Sequence, residues 1–172
     1  MLQLLGSIMI LSGAVGMGYK YIEKEERIMH VIEKWERIMQ MFISEITYKK
    51  QPLSFACHTI GEKIGEEEGS YLCKVAERMQ ESKRTKFGII WEEELQKYAE
   101  KEKIIEEIRV ILNEFGVLTG FEDEEIQKRM IEGQYEKWKN LRERKQKEHQ
   151  ERKRLVWVLS SCMGLMLVLI LW

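Results

Sequence analysis

The residues of this sequence with the greatest chemical potential are three cysteines and three histidines. Cys57 and His58 are adjacent, and a thiolate together with an imidazole is a donor set that zinc prefers. Neighbouring residues of a helix point in different directions, however, and no second Cys/His pair follows at the spacing of metal ligands. We therefore predict a small buried thiol at Cys57 and no metal site.

Catalysis is not indicated either, because no nucleophile, base or metal set converges in the sequence. His30, His58 and His149 are scattered, and the glutamates recur on predicted helix faces beside lysine or arginine, which is typical of solvated surfaces. No GxxxxGK[ST] phosphate loop is present, and basic residues away from the C-terminal segment alternate with Glu. We predict that the chain is not an enzyme and takes no cofactor, small-molecule substrate or nucleic acid.

The elements that position these residues are predicted to be helices. Among 172 residues there is one proline, and charged residues make up 33%. Abundant Glu, Lys, Leu, Ile and Met with so little proline favours helix throughout, and no strand-like alternation competes with it. The net charge of −1 creates no overall field that would attract a polyanion. The sequence therefore predicts an all-α fold, a bundle of about six helices.

Apolar spacing, proline and glycine indicate where the first three helices begin and end. A stripe at spacings of three and four predicts a long first helix: Ile28, Val31, Ile32, Trp35, Ile38, Met39, Phe42 and Ile46. Gln51-Pro52 should end that helix and open the second. We predict that the second helix fades near Gly61 and Gly65. A solvated loop should follow at residues 66–69, with Ser70 as the N-cap of the third helix.

Three further helices are predicted in the second half of the domain. Trp91, Leu95 and Tyr98 mark the fourth helix. Gly116 is predicted to be the left-handed C-terminal cap of the fifth helix. Asp123 should cap the sixth, in which Gly133 is the one weak point.

Both ends of the chain are uncharged. Residues 155–172 contain no charged side chain, and a helix of this length rises about 27 Å, close to the ~30 Å hydrocarbon core of a bilayer. Residues 2–19 are similar, and no Lys or Arg precedes them as in a signal peptide. The sequence predicts membrane-spanning helices at 1–19 and 155–172 around a domain at 20–154. Cleavage of the first segment near Gly13 stays an alternative.

A cluster of basic residues precedes the second uncharged run. We call it the basic cluster: Arg142, Arg144, Lys145, Lys147, Arg152, Lys153 and Arg154. The positive-inside rule then predicts a cytoplasmic central domain, with both short termini on the far side. The basic cluster could contact anionic lipid headgroups, or it could be an ordinary flank that stops translocation.

Small residues four apart recur in both predicted membrane helices. The pairs are Ser12/Gly16, Ala14/Gly18 and Ser160/Gly164. This spacing lets helix backbones approach closely in lipid. The two helices could pack on each other or on another membrane protein, and the chain could also form a homo-oligomer.

Several strings, in order and at similar spacing, resemble the stage III sporulation protein AB family of endospore-forming bacteria. They are MLQLLGS at the start, EITYKKQPL from Glu45, WEEEL from Trp91, and ILNEFGVLTGFEDEEIQ from Ile111. The basic lead into a terminal apolar helix completes the resemblance, which spans essentially the whole chain. Among the matching residues we expect the following to set the fold at two corners: Glu45, Tyr48, Pro52 and Leu53 at the first, and Phe115, Gly116 and Gly120 at the second.

The resemblance implies a helical cytoplasmic domain similar to the platform protein, or F protein, of type II secretion and type IV pilus systems. It also implies membership of the stage III sporulation A complex, in the mother-cell membrane facing the forespore. That complex would form a channel or feeding apparatus, with a cytoplasmic ATPase docked on this platform. The alternative is a stand-alone membrane-tethered helical adaptor that uses the basic cluster to sense anionic lipid.

Overall fold

The structure is a computed structural model that describes residues 23–82, 85–119 and 124–171, and for most of residues 156–171 it describes the backbone alone. These ranges contain six helices and no strand. The helices are α1 (residues 23–42, continued by a π-helical turn Ile43–Tyr48), α2 (Leu53–Ile64), α3 (Glu66–Glu81), α4 (Phe87–Glu102), α5 (Glu106–Leu118) and α6 (Glu124–Leu171). The prediction of an all-α fold with about six helices is confirmed.

The chain divides into two compact units. The central unit is Ile32–Asn140, and the terminal unit combines the residues up to Val31 with those from Leu141 onward. Both α1 and α6 contribute residues to each unit. The predicted domain limits at 20–154 stay a prediction.

The core of the central unit is built on the predicted stripe of α1. Ile32, Trp35, Ile38, Met39 and Phe42 are completely buried. Their spacing of three and four places them on one face of the helix, so that face turns inward as the sequence indicated.

Trp35 lies at the centre of an aromatic cluster contributed by four helices. Its ring stacks on Trp138 of α6 with centroids 6.0 Å apart. It also meets Tyr71 of α3 edge-on at 6.0 Å, and Trp91 of α4 at 6.2 Å. Large rings in edge and stacked contacts contribute more than their buried area alone, so this cluster fixes how the four helices pack.

The connection between α2 and α3 differs from the prediction. α2 runs through Gly61 to Ile64, Gly65 turns the chain with a φ of +64°, and α3 begins directly at Glu66. Residues 66–69 are therefore helical, and the predictions of a solvated loop there and of Ser70 as an N-cap are wrong. The reason is close packing: a Cβ added to Gly61 would lie 2.8 Å from the carbonyl oxygen of Gly69. Glycine at both positions lets the helices touch, and that contact outweighs the polar composition.

Gly116 provides the second correction. It was predicted to cap α5 in the left-handed conformation, but α5 continues to Leu118 and Thr119 follows in an extended conformation. Among the described glycines, only Gly65 has a positive φ. Gly116 is an interior helical residue because the ring of Trp91 lies against it. A Cβ at Gly116 would stand 2.8 Å from Trp91 Cγ and still closer to Cδ1.

The last helix continues from Glu124 to Leu171 and passes Gly133 without a break. Within the described ranges, no helix is both long and apolar enough to cross a membrane, so the predicted membrane helices are not confirmed.

Residues 1–19, with Ser12, Ala14, Gly16 and Gly18, lie outside the described residues, as do Gly120 and Asp123. Ser160 and Gly164 belong to the helical backbone of α6, and the packing role of the small-residue pairs stays a prediction.

Candidate functional site

Cys57, the first candidate for chemistry, is completely buried, as predicted. Burial raises the pKa of its thiol far above the ordinary value, and the nearby Cys73 thiol adds to that increase. Such a thiol is a poor nucleophile and a poor metal ligand. No group of three or more His, Cys, Asp or Glu side chains that could hold a metal occurs in the described part of the chain.

The first predicted corner contains a buried carboxylate. Glu45 lies in the π-helical turn after α1 and is almost inaccessible to solvent. Its Oε1 accepts hydrogen bonds from Lys49 Nζ at 2.8 Å and from Lys63 Nζ of α2 at 3.2 Å. The hydrogen bond from Lys49, supported by Lys63, lowers the pKa of Glu45 although burial opposes the shift. Glu45 thus ties the end of α1 to α2.

The other residues of this corner occupy different environments. Pro52 directly precedes α2, and its carbonyl accepts the N–H of Ala56 at 2.9 Å. Leu53 is the first residue of α2 and is half-buried. Tyr48 is 80% exposed. A side chain so exposed contributes little to packing, and the fold-setting role of Tyr48 stays a prediction.

At the second predicted corner, Phe115 is completely buried. Its ring lies 4.9 Å from Trp91 and 5.2 Å from Phe42, measured between centroids. The indole N–H of Trp91 donates to the carbonyl of Leu112 at 2.7 Å. Phe115 and Gly116 therefore hold α5 against α4 at Trp91, and Phe115 also holds α5 against α1 at Phe42.

A second buried carboxylate, Glu68 of α3, lies in the segment that was predicted to be a loop. Its Oε1 accepts a hydrogen bond from the hydroxyl of Tyr98 at 3.1 Å, and its Oε2 accepts one from Lys34 Nζ at 3.2 Å. Burial opposes the charge on Lys34, but its hydrogen bonds with Glu66 and Glu68 raise the pKa above the usual value. These bonds connect α1, α3 and α4 beside the aromatic cluster.

Helices α4 and α5 share a surface that the sequence did not reveal. Ile89, Val110 and Val117 are 49%, 48% and 66% exposed. Val110 and Val117 are seven residues apart and so share one face of α5. A Cβ at Gly88 would lie 3.9 Å from the Cα of Val117, which brings the start of α4 next to the end of α5. We call Ile89, Val110 and Val117 the α4–α5 face.

A groove beside Val110 is lined partly by charged side chains. It has a volume of about 230 Å³ and is lined by Glu92, Leu95, Gln96, Glu106, Arg109, Val110 and Asn113. Arg109 forms an ion pair with Glu106 at 3.1 Å. The groove beside Val110 is therefore lined by two acidic side chains and one basic side chain.

The terminal unit contains a cavity that part of the basic cluster lines. The cavity measures about 200 Å³, and its walls come from Lys24, Glu25, Ile28 and Met29 of α1 and Lys145, Glu148, His149 and Arg152 of α6. We call it the basic pocket. The sequence indicated the basic residues of α6 but not that α1 would supply the opposite wall.

Ion pairs order the side chains of the basic pocket. Glu25 accepts a hydrogen bond from Arg152 at 3.0 Å and lies 2.9 Å from His149 Nδ1. Lys145 pairs with Glu148 at 3.3 Å. Of the remaining basic cluster, Arg142 is half-buried, and Arg144, Lys147, Lys153 and Arg154 are exposed to solvent.

These features define an all-α protein whose conspicuous surfaces suit binding. Its buried carboxylates Glu45 and Glu68 are paired with lysines, and charged side chains of α1 and α6 converge around the basic pocket. Residues 3–172 match the family model for stage III sporulation protein AB, and the chain belongs to that family. This match confirms the family resemblance seen in the sequence. The name of the family indicates a role in sporulation.

A solved structure described as stage III sporulation protein AB (SpoIIIAB) has the same fold, with a TM-score of 0.64. The two chains are 16% identical, and the match covers 72% of this chain and 97% of the other. At that identity the likeness shows the fold alone. No curated protein sequence matches the chain significantly.

Proposed function

We propose that this protein is a non-enzymatic membrane subunit of the stage III sporulation A complex, in the mother-cell membrane facing the forespore. It acts as the platform on which a cytoplasmic ATPase docks, within a secretion-like channel between the two cells. What supports this proposal is a family match over nearly the whole chain, together with a helical bundle that carries an unpaired apolar surface.

The proposed topology places the central unit in the cytoplasm. Residues 2–19 and 155–172 carry no charged side chain, and basic residues flank both runs on the side of the central unit. Lys and Arg are retained on the cytoplasmic side of a membrane, so both short termini would lie on the far side.

The α4–α5 face is the proposed docking surface, and it is the observation that carries the platform function. Each of its three apolar side chains is about half or more exposed, and the groove beside Val110 adds the carboxylates of Glu92 and Glu106. An exposed apolar patch rimmed by polar residues often marks an interaction site, and we propose that these three side chains form one. A partner surface of apolar residues flanked by lysine or arginine would complement it, and we assign that surface to the ATPase.

The docking proposal predicts the effect of Val110→Asp combined with Val117→Asp. Two carboxylates in the centre of an apolar contact should reduce co-purification of the ATPase by tenfold or more, because each unpaired buried charge costs several kcal/mol. In cells that lack the native chain, the same variant should lower the yield of heat-resistant spores. The bundle should remain folded because both side chains face solvent.

Phe55→Asp is the matched control, since Phe55 is 51% exposed on α2. It should leave co-purification and spore yield near those of the native chain. Equal losses for Phe55→Asp, or full ATPase binding by the double variant, would contradict the proposed docking surface. Normal spore yield without any copy of the chain would favour the membrane-tethered adaptor instead.

A further inference from the structure

We infer that the basic pocket of the terminal unit binds the phosphate headgroup of an anionic lipid. This inference deepens the proposed function, because it rests on the membrane location of the chain. It assigns a ligand to a cavity formed by residues of α1 and α6 that are far apart in sequence.

The charge of the pocket favours an anion. Three cations, Lys24, Lys145 and Arg152, face two carboxylates, Glu25 and Glu148. Both carboxylates are already engaged, Glu25 by Arg152 at 3.0 Å and Glu148 by Lys145 at 3.3 Å. These pairs hold the cations in place and leave a net positive charge.

Lys24 supplies that excess charge. It is exposed, and within the described ranges it forms no ion pair, although it lines the same cavity. Its ammonium group can therefore turn to a phosphate without giving up a partner. A phosphate oxygen accepts hydrogen bonds from Lys and Arg more strongly than a neutral acceptor does.

The remaining wall of the pocket is apolar. Ile28 and Met29 line one side, and the volume of about 200 Å³ far exceeds the ~15 Å³ that admits one water. A free phosphate ion would gain nothing from these two side chains. A lipid would, since its glycerol and first methylenes could cover them while the phosphate meets the cations.

The position of the pocket along α6 agrees with the position of a lipid headgroup in a bilayer. Arg152 precedes Leu155, the first residue of the uncharged run, by about 5 Å of helix, and His149 precedes it by about 9 Å. The headgroup layer on each side of a bilayer is roughly 5–8 Å thick. A run that enters the hydrocarbon at Leu155 would set the mouth of the pocket at phosphate level.

The test is to titrate phosphatidylglycerol into the full chain in nonionic detergent and to count bound lipids by native mass spectrometry. One phosphatidylglycerol should bind tightly, and phosphatidylcholine, which has no net charge, should bind at least tenfold more weakly. Lys24→Gln with Arg152→Gln should weaken that binding about tenfold or more, because each basic residue near a headgroup is worth roughly fivefold. Lys24→Gln alone removes no described ion pair, and we expect it to weaken binding about fivefold.

Lys147→Gln with Lys153→Gln is the matched control, since it removes the same charge from the basic cluster outside the pocket. It should change affinity less than threefold. An equal loss in both double variants would overturn the pocket and indicate diffuse attraction to basic residues. Displacement of the lipid by an equal concentration of glycerol 3-phosphate would overturn the lipid as ligand and identify a soluble phosphate ester. The assay contains no partner protein, so its failure is separate from failure of the ATPase test.

Discussion

A carboxylate inside a protein is stable only where cations or hydrogen-bond donors replace its lost hydration. Glu45 meets this condition through Lys49, at the end of the first helix, and Lys63 of α2. Glu94 meets it through Arg78 of α3 at 2.9 Å and Lys97 at 2.6 Å. For each glutamate one cation belongs to another helix, so the pairs with Lys63 and Arg78 connect neighbouring helices of the central unit.

The depressed pKa of Glu45 leads to a prediction about pH. Its folded pKa lies below the unfolded value of about 4.3, so its stabilising contribution is complete above that pH. The contribution is lost as the pH falls through the folded pKa. Glu45→Gln should lower the free energy of unfolding by about 1–2 kcal/mol at pH 7, and by much less at pH 3. Urea denaturation of both proteins at the two pH values measures the difference.

Glu62→Gln is the control for Glu45→Gln, because Glu62 is exposed and its ion pair with His58 is long, at 3.6 Å. It should change stability by less than about 0.5 kcal/mol at either pH. A cost for Glu45→Gln that is the same at pH 7 and pH 3 would show that lost packing, rather than charge, causes the destabilisation.

Single residues also show where sequence reasoning stops. The burial of Cys57 and of the α1 stripe could be predicted, because apolar type and spacing are local properties. The burial of Glu45 and Glu68 could not, because a glutamate paired with a lysine of a distant helix looks like any surface glutamate. Tyr48 is the reverse case, because the solvent exposure of this aromatic side chain could not be predicted from its residue type.

At the scale of helices, glycine decides how closely pairs approach. In α2 and α3 a small residue recurs every fourth position, at Cys57, Gly61, Gly65, Gly69 and Cys73. Gly65 makes the turn, and Gly61 and Gly69 meet across it. A loop was predicted here because glycine in an isolated segment usually weakens or ends a helix. Close contact between α2 and α3 outweighs the low helix propensity of glycine. This contact cannot be predicted from the sequence of either helix alone.

Gly116 and Gly133 allow a matched test of whether glycine is needed where two helices are in close contact. A Cβ at Gly116 would overlap the ring of Trp91, whereas a Cβ at Gly133 meets no atom within 4 Å. Gly116→Ala should therefore destabilise the protein by about 1–3 kcal/mol through overpacking. Gly133→Ala should stabilise it by up to about 1 kcal/mol, because alanine is the better helix former. Thermal unfolding followed by circular dichroism measures both changes. Stabilisation by Gly116→Ala would show that α4 and α5 are not in contact at this position.

At the scale of the whole molecule, the class of fold and the family could be predicted from the sequence. Six helices and an inward stripe follow from periodicity, and the family follows from strings spread over the chain. The α4–α5 face and the basic pocket could not be predicted. Each consists of residues that are distant in sequence, such as Ile89 and Val117 in the face and Lys24 and Arg152 in the pocket.

The proposed topology can be tested with a reporter that the fold leaves accessible. Cys57 is unsuitable for thiol labelling because it is buried, and Cys73 is only half-exposed and has a raised pKa. Tyr48→Cys offers a better site, since that side chain is 80% exposed at the first corner of the central unit. A membrane-impermeant maleimide should label this variant in permeabilised cells and leave it unlabelled in intact ones, because the central unit would face the cytoplasm. The chain without Tyr48→Cys reports the background from its own cysteines. Labelling of the Tyr48→Cys variant above that background in intact cells would place the central unit outside, and a cytoplasmic ATPase could then not reach the α4–α5 face.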